Sequence, residues 1–272
     1  MKLQNKLVEL RRERKAILAA NFYNLETLQA IVGGAGDAGA PVILQLSESS
    51  IDYIGLDVAV QMAKTALRIS GVEGWLHLDH GSSIALVQRC LDAGFDSVMI
   101  DASEQSMEKN ISISREAVRL AGSYGANVEA ELGYIAKLNQ AQDHSGFTQP
   151  EDARRFTEET GVNALAVSIG SAHGFYKEEP KLDIELLGRI RSAVDTPLVL
   201  HGSSGISDTA LVEAIRNGIT KINLATETKN AFMRKLKADL LETDEIDLRV
   251  VFPRATETAR ELIRNKLNVI AQ

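Results

Sequence analysis

Three of the five histidines in the chain, His80, His173 and His201, follow short apolar runs of the sequence. They are far apart along the chain, so only the fold could bring their rings together. Three neutral imidazoles that leave a fourth position open form the ligand set of a catalytic zinc ion. Each histidine could instead be an ordinary hydrogen-bonding residue. Their shared position at the ends of three runs favours the metal site.

The carboxylate of Asp79 directly precedes His80. Adjacent residues on an ideal strand point to opposite faces, so both side chains reach one cavity only if the strand ends there. Gly81, the next residue, agrees with such an end. Asp79 could then carry a proton beside a polarised substrate oxygen. The alternative is that it orients a ligand imidazole.

Glu129 and Glu131 lie two residues apart and therefore share one face of a strand. Carboxylates buried on that face cost free energy unless they meet a cation or hydrogen-bond donors. We expect a functional role for Glu131, which is nearer the strand end, and leave Glu129 open between structure and function. His77 shares a face with Asp79, below the strand end, and is expected to be structural.

Eight apolar runs alternate with eight segments of helical period along the chain. Helix caps are predicted at Asn24, Ser83 and Ser207. The predicted strands cover 16–22, 42–47, 75–80, 95–101, 127–132, 164–170, 198–203 and 221–226. The predicted helices lie near 24–37, 57–70, 83–93, 108–120, 150–159, 183–194, 207–217 and 227–241.

Strict alternation of strands and helices requires parallel strands joined by crossovers. Eight such units in about 250 residues fit a (β/α)8 barrel, the TIM barrel of the α/β class, better than an open sheet. No G-x-G-x-x-G follows the first run, which argues against dinucleotide binding. With only five prolines and no Ser/Gly-rich linker, we expect one domain over residues 1–272, with an additional C-terminal helix at 256–270.

The active site of such a barrel lies at the carboxyl ends of its strands. Asn21 and Ser47 stand at two of these ends and are candidates for substrate binding. The stretches HGSSG at 201–205 and INLATET at 222–228 follow or end the last two runs, where many barrels bind phosphate. Small residues let backbone N–H groups approach anion oxygens, and a helix start adds positive potential. This position favours an anion site over plain turns.

Charge and composition exclude several classes of function. Lys and Arg number 30 against 37 Asp and Glu, a formal net charge of -7, so no excess positive potential exists to hold nucleic acid. No apolar run approaches the roughly 20 residues that span a bilayer, so no membrane partner is expected. The charged start, MKLQNKLVELRRERK, differs from a secretory signal and predicts a cytoplasmic protein. Cys90 is the only cysteine, so a bound metal must rely on histidines and carboxylates.

Together the motifs resemble the class II, metal-dependent ketose-bisphosphate aldolases, the family of fructose and tagatose bisphosphate aldolases. The resemblance covers nearly the whole chain, from about Ala19 to Asn268. H-x-D-H-G, A-H-G-x-Y and H-G-x-S-G in this order form a specific combination. The stretches that carry it are AANFYNLE (19–26), HLDHG (77–81), IDAS (100–103), VEAELG (128–133), SAHGFY (171–176), LVLHGSSGI (198–206), KINLATET (221–228) and PR (253–254).

The resemblance implies a role for each of these residues. The three histidines would bind one zinc ion, and Asp79 would move the proton of the C4 hydroxyl of the sugar. Asn223 would lie near the enolate carbons, and Arg254 would reach a second phosphate in a neighbouring subunit, which implies a homodimer or homotetramer. A monovalent cation often lies near the first phosphate in this family. The residues implied to bind that phosphate are Gly174, Lys177, Gly202, Ser204 and Thr226.

The implied reaction is the reversible cleavage of a ketose 1-phosphate or 1,6-bisphosphate, of the fructose or tagatose type, into dihydroxyacetone phosphate and an aldehyde. Zinc on the C2 carbonyl and C3 hydroxyl oxygens would stabilise the enediolate. A covalent route would need a desolvated lysine at the carboxyl end of a strand. Lys221 is expected at the start of the last strand instead.

The chain departs from the family after Gly133. Family members continue into a Gly-Gly-x-Glu-Asp loop whose glutamate handles the proton on the enediolate carbon, whereas this chain continues as YIAKLNQ. Glu131, Asp143 or His144 could substitute for that glutamate. Two alternatives therefore stay open: a phosphosugar-binding or assembly subunit that has lost turnover, and an aldolase with a non-standard aldehyde partner.

Overall fold

Parallel strands close into a barrel in the order in which they follow one another along the chain, as the alternation of the sequence predicts. The structure is a computed structural model that describes residues 1–133, 146–174, 176 and 180–272. The strands are β1 (Ile17–Asn21), β2 (Val42–Ser47), β3 (Gly74–Gly81), β4 (Ser97–Ile100), β5 (Asn127–Leu132), β6 (Ala164–Val167), β7 (Leu198–Leu200) and β8 (Ile219–Leu224). Each pairs with the next in parallel, and β8 closes the barrel on β1.

Helices form the layer outside the strands. Asn24, Ser83 and Ser207 cap three of them as predicted, because each side chain accepts a hydrogen bond from a backbone N–H three residues further on. The helices of the described residues are α1 (Leu3–Glu13), α2 (Leu25–Ala38), α3 (Glu48–Ile54), α4 (Leu56–Ser70), α5 (Ile84–Ala93), α6 (Met107–Gly122), α7 (Pro150–Thr160), α8 (Ile184–Ala193), α9 (Asp208–Arg216), α10 (Thr226–Leu240) and α11 (Leu248–Ile270).

The N-terminal helix α1 has no counterpart in the sequence prediction, nor has the short helix α3. Charged residues dominate α1, and only Leu3, Leu7 and Leu10, spaced four and three residues apart, are buried. This spacing places them on one face of the helix. The face closes the amino-terminal end of the barrel. The residues packed with it are Ile17, Ala19, Ile43, Trp75, Ala164, Ala166 and Val199.

The C-terminal helix α11 begins at Leu248, eight residues before the predicted start at 256. Pro253 lies inside it, and a proline usually ends a helical pattern, which explains the late predicted start. The helix packs on α2 and α10. Gly34 of α2 permits this approach, since a Cβ there would lie 2.7 Å from the backbone oxygen of Arg260. No helix of the described residues is long and apolar enough to cross a bilayer.

We predict that Leu7→Ala lowers the free energy of unfolding by roughly 2–5 kcal/mol, because truncation leaves a cavity at the closed end of the barrel. Val8→Ala is the matched control, since Val8 lies on the same helix and is 39% exposed. Urea unfolding followed by the fluorescence of Trp75, the one tryptophan of the chain, measures both variants. Equal stability of the two variants would contradict the closing role of α1.

Candidate active site

Asp79 and His80 both reach the barrel mouth because β3 is irregular at its carboxyl end. The register against β4 shifts between Leu78 and Gly81, and His80 has a φ of 50°, in the left-handed region. A bulge interrupts the alternation of side chains along a strand. The strand therefore continues to Gly81 and does not end at His80 as the sequence predicts. A positive φ costs a non-glycine residue about 1–3 kcal/mol, which the contacts of His80 must offset.

The rings of His80, His173 and His201 lie together over the barrel mouth. Their centroids are 5.0 Å apart for His80 and His173, 4.8 Å for His80 and His201, and 5.9 Å for His173 and His201. One nitrogen from each ring lies within 4.8 Å of the other two. His80 lies near the carboxyl end of β3, and His173 and His201 follow β6 and β7, so barrel closure brings them together.

Carboxylates determine which nitrogen two of these rings turn to the centre of the cluster. His80 Nδ1 lies 2.7 Å from Asp101 Oδ2, and His201 Nε2 lies 2.8 Å from Glu129 Oε1. An ionised carboxylate only accepts, so these two nitrogens carry hydrogens. In neutral rings, His80 Nε2 and His201 Nδ1 then present lone pairs to each other at 3.0 Å. Facing lone pairs need a cation between them, either a proton or a metal ion.

This donor set fits a zinc ion. Nitrogens bound tetrahedrally at roughly 2.0–2.1 Å from zinc lie roughly 3.3–3.4 Å from one another. The 3.0 Å between His80 Nε2 and His201 Nδ1 is close to that separation. A carboxylate on the far nitrogen is also the usual partner of a zinc-binding histidine. Asp101 and Glu129 occupy these positions.

The surrounding charges favour a positive charge at His80. Burial opposes protonation of this ring, but the carboxylates of Asp79 and Asp101 outweigh burial and raise the pKa of His80 to about 9. Burial and the charge of His80 hold the pKa of His201 well below its usual value, so that ring is neutral and can offer a lone pair. The same negatively charged surroundings can therefore stabilise either a proton on His80 or a metal ion bound to the histidines.

Glu131 lies beside the same cluster, at the end of β5. It is 2% exposed, and its Oε2 is 3.7 Å from His201 Nδ1. Together with His80 and Asp101 it forms a second trio whose ligand atoms lie within 4.8 Å of one another. The carboxylate can therefore reach a cation, or a reacting group, at the histidine cluster.

Two amide groups hold the Asp79 carboxylate. Asn21 Nδ2 donates to Asp79 Oδ2 at 2.8 Å, and Asn223 Nδ2 donates to Asp79 Oδ1 at 3.2 Å. Burial by itself would raise the pKa of Asp79, but the charge of His80 and the hydrogen bond from Asn21 hold this pKa below its usual value. Asp79 is therefore an ionised acceptor, 3.9 Å from His80 Nε2.

A buried polar layer that the sequence analysis missed lies beneath these groups. Lys221 Nζ donates to Asn223 Oδ1 at 2.7 Å and lies 2.9 Å from Glu129 Oε2, while Gln45 Nε2 donates to Asn21 Oδ1 at 3.0 Å. The prediction that Lys221 starts the last strand is wrong, because β8 begins at Ile219. The spacing of two between Lys221 and Asn223, which puts both on one strand face, was the available signal.

The loops after β7 and β8 meet at the start of α10. Thr226 is the first residue of this helix, and Ser204 Oγ accepts a hydrogen bond from Glu227 N at 3.2 Å. Gly202 has a φ of 67°, and a Cβ there would collide with the backbone of Ala172, so only glycine fits. The predicted anion-binding stretches therefore lie against one helix N-terminus, which carries positive potential.

The other predicted site residues are less tightly joined to the cluster. Ser47 ends β2 and caps α3. Gly174 directly follows His173 and has a φ of 107°. Arg254 is exposed on α11, and no ion pair or hydrogen bond joins its side chain to a described residue. The predictions for Lys177, Asp143 and His144 fall outside the described residues.

A cavity of about 640 Å³ opens beside the histidine cluster. This volume lies within the range of small-molecule sites, roughly 300–1,000 Å³. Most of the residues that line it carry hydroxyl, amide, imidazole or carboxylate groups, which suit a hydroxylated ligand. The polar lining residues are His80, Ser82, Asp101, Ser103, Glu104, Gln105, Glu131 and His173.

Comparison with solved structures agrees with this architecture. The YdjI aldolase from Escherichia coli K12 superposes with a TM-score of 0.89 at 32% sequence identity, covering 98% of this chain and 96% of that chain. Fructose-bisphosphate aldolase from Campylobacter jejuni superposes with a TM-score of 0.84 at 23% identity, covering 99% of this chain and 94% of that chain. The second likeness shows the fold alone.

Sequence comparisons define the family. The D-tagatose-1,6-bisphosphate aldolase subunit GatY of Klebsiella oxytoca is 37% identical over 274 residues, covering 98% of this chain and 95% of that protein. The family described as fructose-bisphosphate aldolase class-II matches residues 1–272. The chain therefore belongs to the class II fructose-bisphosphate aldolase family, and it is an aldolase, a carbon–carbon lyase.

Proposed function

We propose that the chain is a zinc-dependent aldolase that cleaves a phosphorylated ketose, of the fructose or tagatose type, into dihydroxyacetone phosphate and an aldehyde. The observation that carries this proposal is the convergence of His80, His173 and His201 beside the ionised Asp79. The tagatose-1,6-bisphosphate named for the Klebsiella relative supports a bisphosphate as substrate.

In this proposal His80, His173 and His201 hold the zinc ion. When bound, the ion supplies Lewis-acid stabilisation of the negative charge that develops on the substrate oxygens. Asp101 and Glu129 keep hydrogens on the outward nitrogens of two rings, and so keep the inward nitrogens available as ligands.

Asp79 is proposed to exchange a proton with the C4 hydroxyl of the ketose. Its ionised carboxylate can take that proton as the C3–C4 bond breaks, and the amides of Asn21 and Asn223 hold it in place. Asn223 also faces the histidine cluster and is proposed to position the enolate carbons. We assign the carbon proton to Glu131, because this buried carboxylate lines the cavity, whereas Glu129, the other buried carboxylate of β5, lies between His201 and Lys221.

The phosphate of the dihydroxyacetone half is proposed to bind at the start of α10, through Gly202, Ser204 and Thr226. Backbone N–H groups and the helix N-terminus suit an anion there. Gly174 and Lys177 complete this proposed set, with Asn21 and Ser47 toward the rest of the sugar. A monovalent cation near this phosphate would offset part of its charge.

Metal removal tests the proposed chemistry. We predict that a chelator abolishes cleavage of ketose phosphates and that added zinc restores it, because the charge on the substrate oxygens then regains its partner. His201→Ala should lose both the metal and the activity, since His201 Nδ1 faces the centre of the cluster. Zinc content and turnover are measured on the same samples. Cleavage that survives exhaustive metal removal would reject the mechanism.

The role of Asp79 separates two proton transfers. We predict that Asp79→Asn lowers kcat for cleavage by roughly 10²–10⁴-fold. Exchange of a carbon-bound proton of dihydroxyacetone phosphate with D2O should continue, because Asp79 serves the hydroxyl and not the carbon. Asp52→Asn, the same change at an exposed position of α3, is the control. Loss of exchange in parallel with cleavage would show that the assignment of Asp79 is wrong.

A second candidate function is a phosphosugar-binding or assembly subunit that has lost turnover. The sequence after Gly133, which lacks the glutamate of the family loop, favours it, and so does the word subunit in the name of the Klebsiella relative. The exchange experiment on the unaltered chain decides between the two functions. Brisk deuterium incorporation would eliminate the second candidate.

Arg254 is proposed to reach the second phosphate of a substrate bound to a neighbouring subunit, in a homodimer or homotetramer. We predict that Arg254→Ala raises KM for a ketose 1,6-bisphosphate roughly 10-fold or more but leaves KM for the 1-phosphate unchanged, because only the bisphosphate carries the second anion. Arg249→Ala, an exposed arginine of the same helix, is the control. Sedimentation equilibrium of the unaltered chain must show an oligomer, and a monomer would exclude this role.

A further inference from the structure

Lys221 is a buried cation that the proposed reaction leaves unused. Its side chain is 1% exposed and lies beneath the barrel mouth. The Nζ atom is 2.7 Å from Asn223 Oδ1 and 2.9 Å from Glu129 Oε2. A lysine ammonium has three donors and no acceptor. Both neighbours must therefore turn an oxygen toward it.

This requirement fixes the orientation of the Asn223 amide. With Oδ1 turned to Lys221, Nδ2 points the other way and donates to Asp79 Oδ1 at 3.2 Å. A flipped amide would set two donors against each other at Lys221 and turn its oxygen toward the carboxylate of Asp79. The flip would thus lose the hydrogen bonds to Lys221 and to Asp79, and it would gain one only from His201 Nε2, which lies 3.1 Å from Asn223 Nδ2.

The orientation of Asn21, the second amide that donates to Asp79, is less firmly fixed. Gln45 Nε2 donates to Asn21 Oδ1 at 3.0 Å, and Asn21 Nδ2 donates to Asp79 at 2.8 Å. Gln45 is itself an amide whose Oε1 is buried without a hydrogen-bond partner among the described residues. An amide can present either end, whereas an ammonium cannot. Lys221 therefore fixes the orientation of the Asn223 amide more firmly than Gln45 fixes that of the Asn21 amide.

Glu129 connects the same ammonium to the histidine cluster. One of its oxygens lies 2.9 Å from Lys221 Nζ, and the other lies 2.8 Å from His201 Nε2. The carboxylate is 0% exposed. Without Lys221 it would be a buried charge without its cation, and its position beside His201 would be less firmly fixed. Lys221 thus supports both the acid/base carboxylate and one metal-facing ring.

We propose that Lys221 is a positioning residue for the reaction, which holds Asn223 as a donor to Asp79 and holds Glu129 on His201. The inference rests on the proposed function, in which Asp79 exchanges the hydroxyl proton. In this inference Lys221 acts through Asn223 and Glu129 and does not contact the substrate. A lysine that served only strand packing would affect folding but would not orient the Asn223 amide toward Asp79.

Two substitutions at this position separate the hydrogen bond from the charge. Lys221→Met removes every donor, whereas Lys221→Gln keeps an NH2 group that can face Asn223 Oδ1. We expect kcat for cleavage to fall roughly 10–100-fold in Lys221→Met, with KM nearly unchanged, and to recover in large part in Lys221→Gln. Thr220→Val is the control, because Thr220 lies next to Lys221 on β8 and points to the other face.

A double-mutant cycle guards against a variant that fails to fold. Lys221→Met leaves the buried Glu129 without its cation. The Lys221→Met substitution is therefore also introduced into the Glu129→Gln variant, where it leaves no buried charge unpaired. There we expect a further loss of roughly 10–100-fold in kcat. In the variant that carries both Glu129→Gln and Asn223→Ala, Lys221→Met should not lower kcat further. An equal loss with and without the Asn223 amide would overturn the proposal.

Zinc affinity provides a readout that needs no turnover. Titration against a chelating dye should show affinity roughly 10-fold weaker in Lys221→Gln, because Glu129 loses its cation and holds His201 less firmly. Unchanged affinity would overturn this half of the proposal. If the unaltered, zinc-loaded chain cleaves no ketose bisphosphate, the proposed function fails, and the affinity comparison still tests Lys221.

Discussion

Negative charge concentrated in the barrel mouth is the constraint on which the rest of the site depends. Carboxylates buried in a protein interior require cations or donors close by. Among the described residues, Lys221 is the only lysine or arginine that forms an ion pair with this group. A proton on His80 or a metal ion would add further positive charge beside this group. The carboxylates are Asp79, Asp101, Glu129 and Glu131.

The backbone meets this constraint by local departures from regular strand geometry. The irregular end of β3 turns two consecutive residues, Asp79 and His80, into the mouth, where ideal alternation would hide one of them. Gly202 gives the chain a left-handed turn directly after His201, against the backbone of the β6 loop. The regular part of the barrel thus fixes where the strands end, and the irregular residues fix which atoms point inward.

Sequence reasoning could predict the barrel and the gathering of polar residues at strand ends, because both follow from periodicity and from the parallel order of strands. It could not fix the boundaries of β8. The predicted strand starts at Lys221, whereas the strand of the structure starts where Ile219 pairs with Leu198 of β7. Pairing between strands is a tertiary contact that a single run of residues does not encode. The same limit hid α1, whose three buried leucines are recognisable only against the barrel end that they cover.

The polar layer beneath the mouth also distinguishes the two ends of the barrel. The end closed by α1 is filled with aliphatic side chains and Trp75, the packing that is usual inside TIM barrels. Near the mouth, Gln45, Glu129 and Lys221 occupy interior positions, and Gln45 Oε1 has no hydrogen-bond partner among the described residues. Replacing a buried ion pair by apolar groups is often neutral or stabilising, so stability alone does not explain Glu129 and Lys221. Their contacts with His201 and Asn223 do, because an apolar layer could not fix a ring tautomer or an amide orientation.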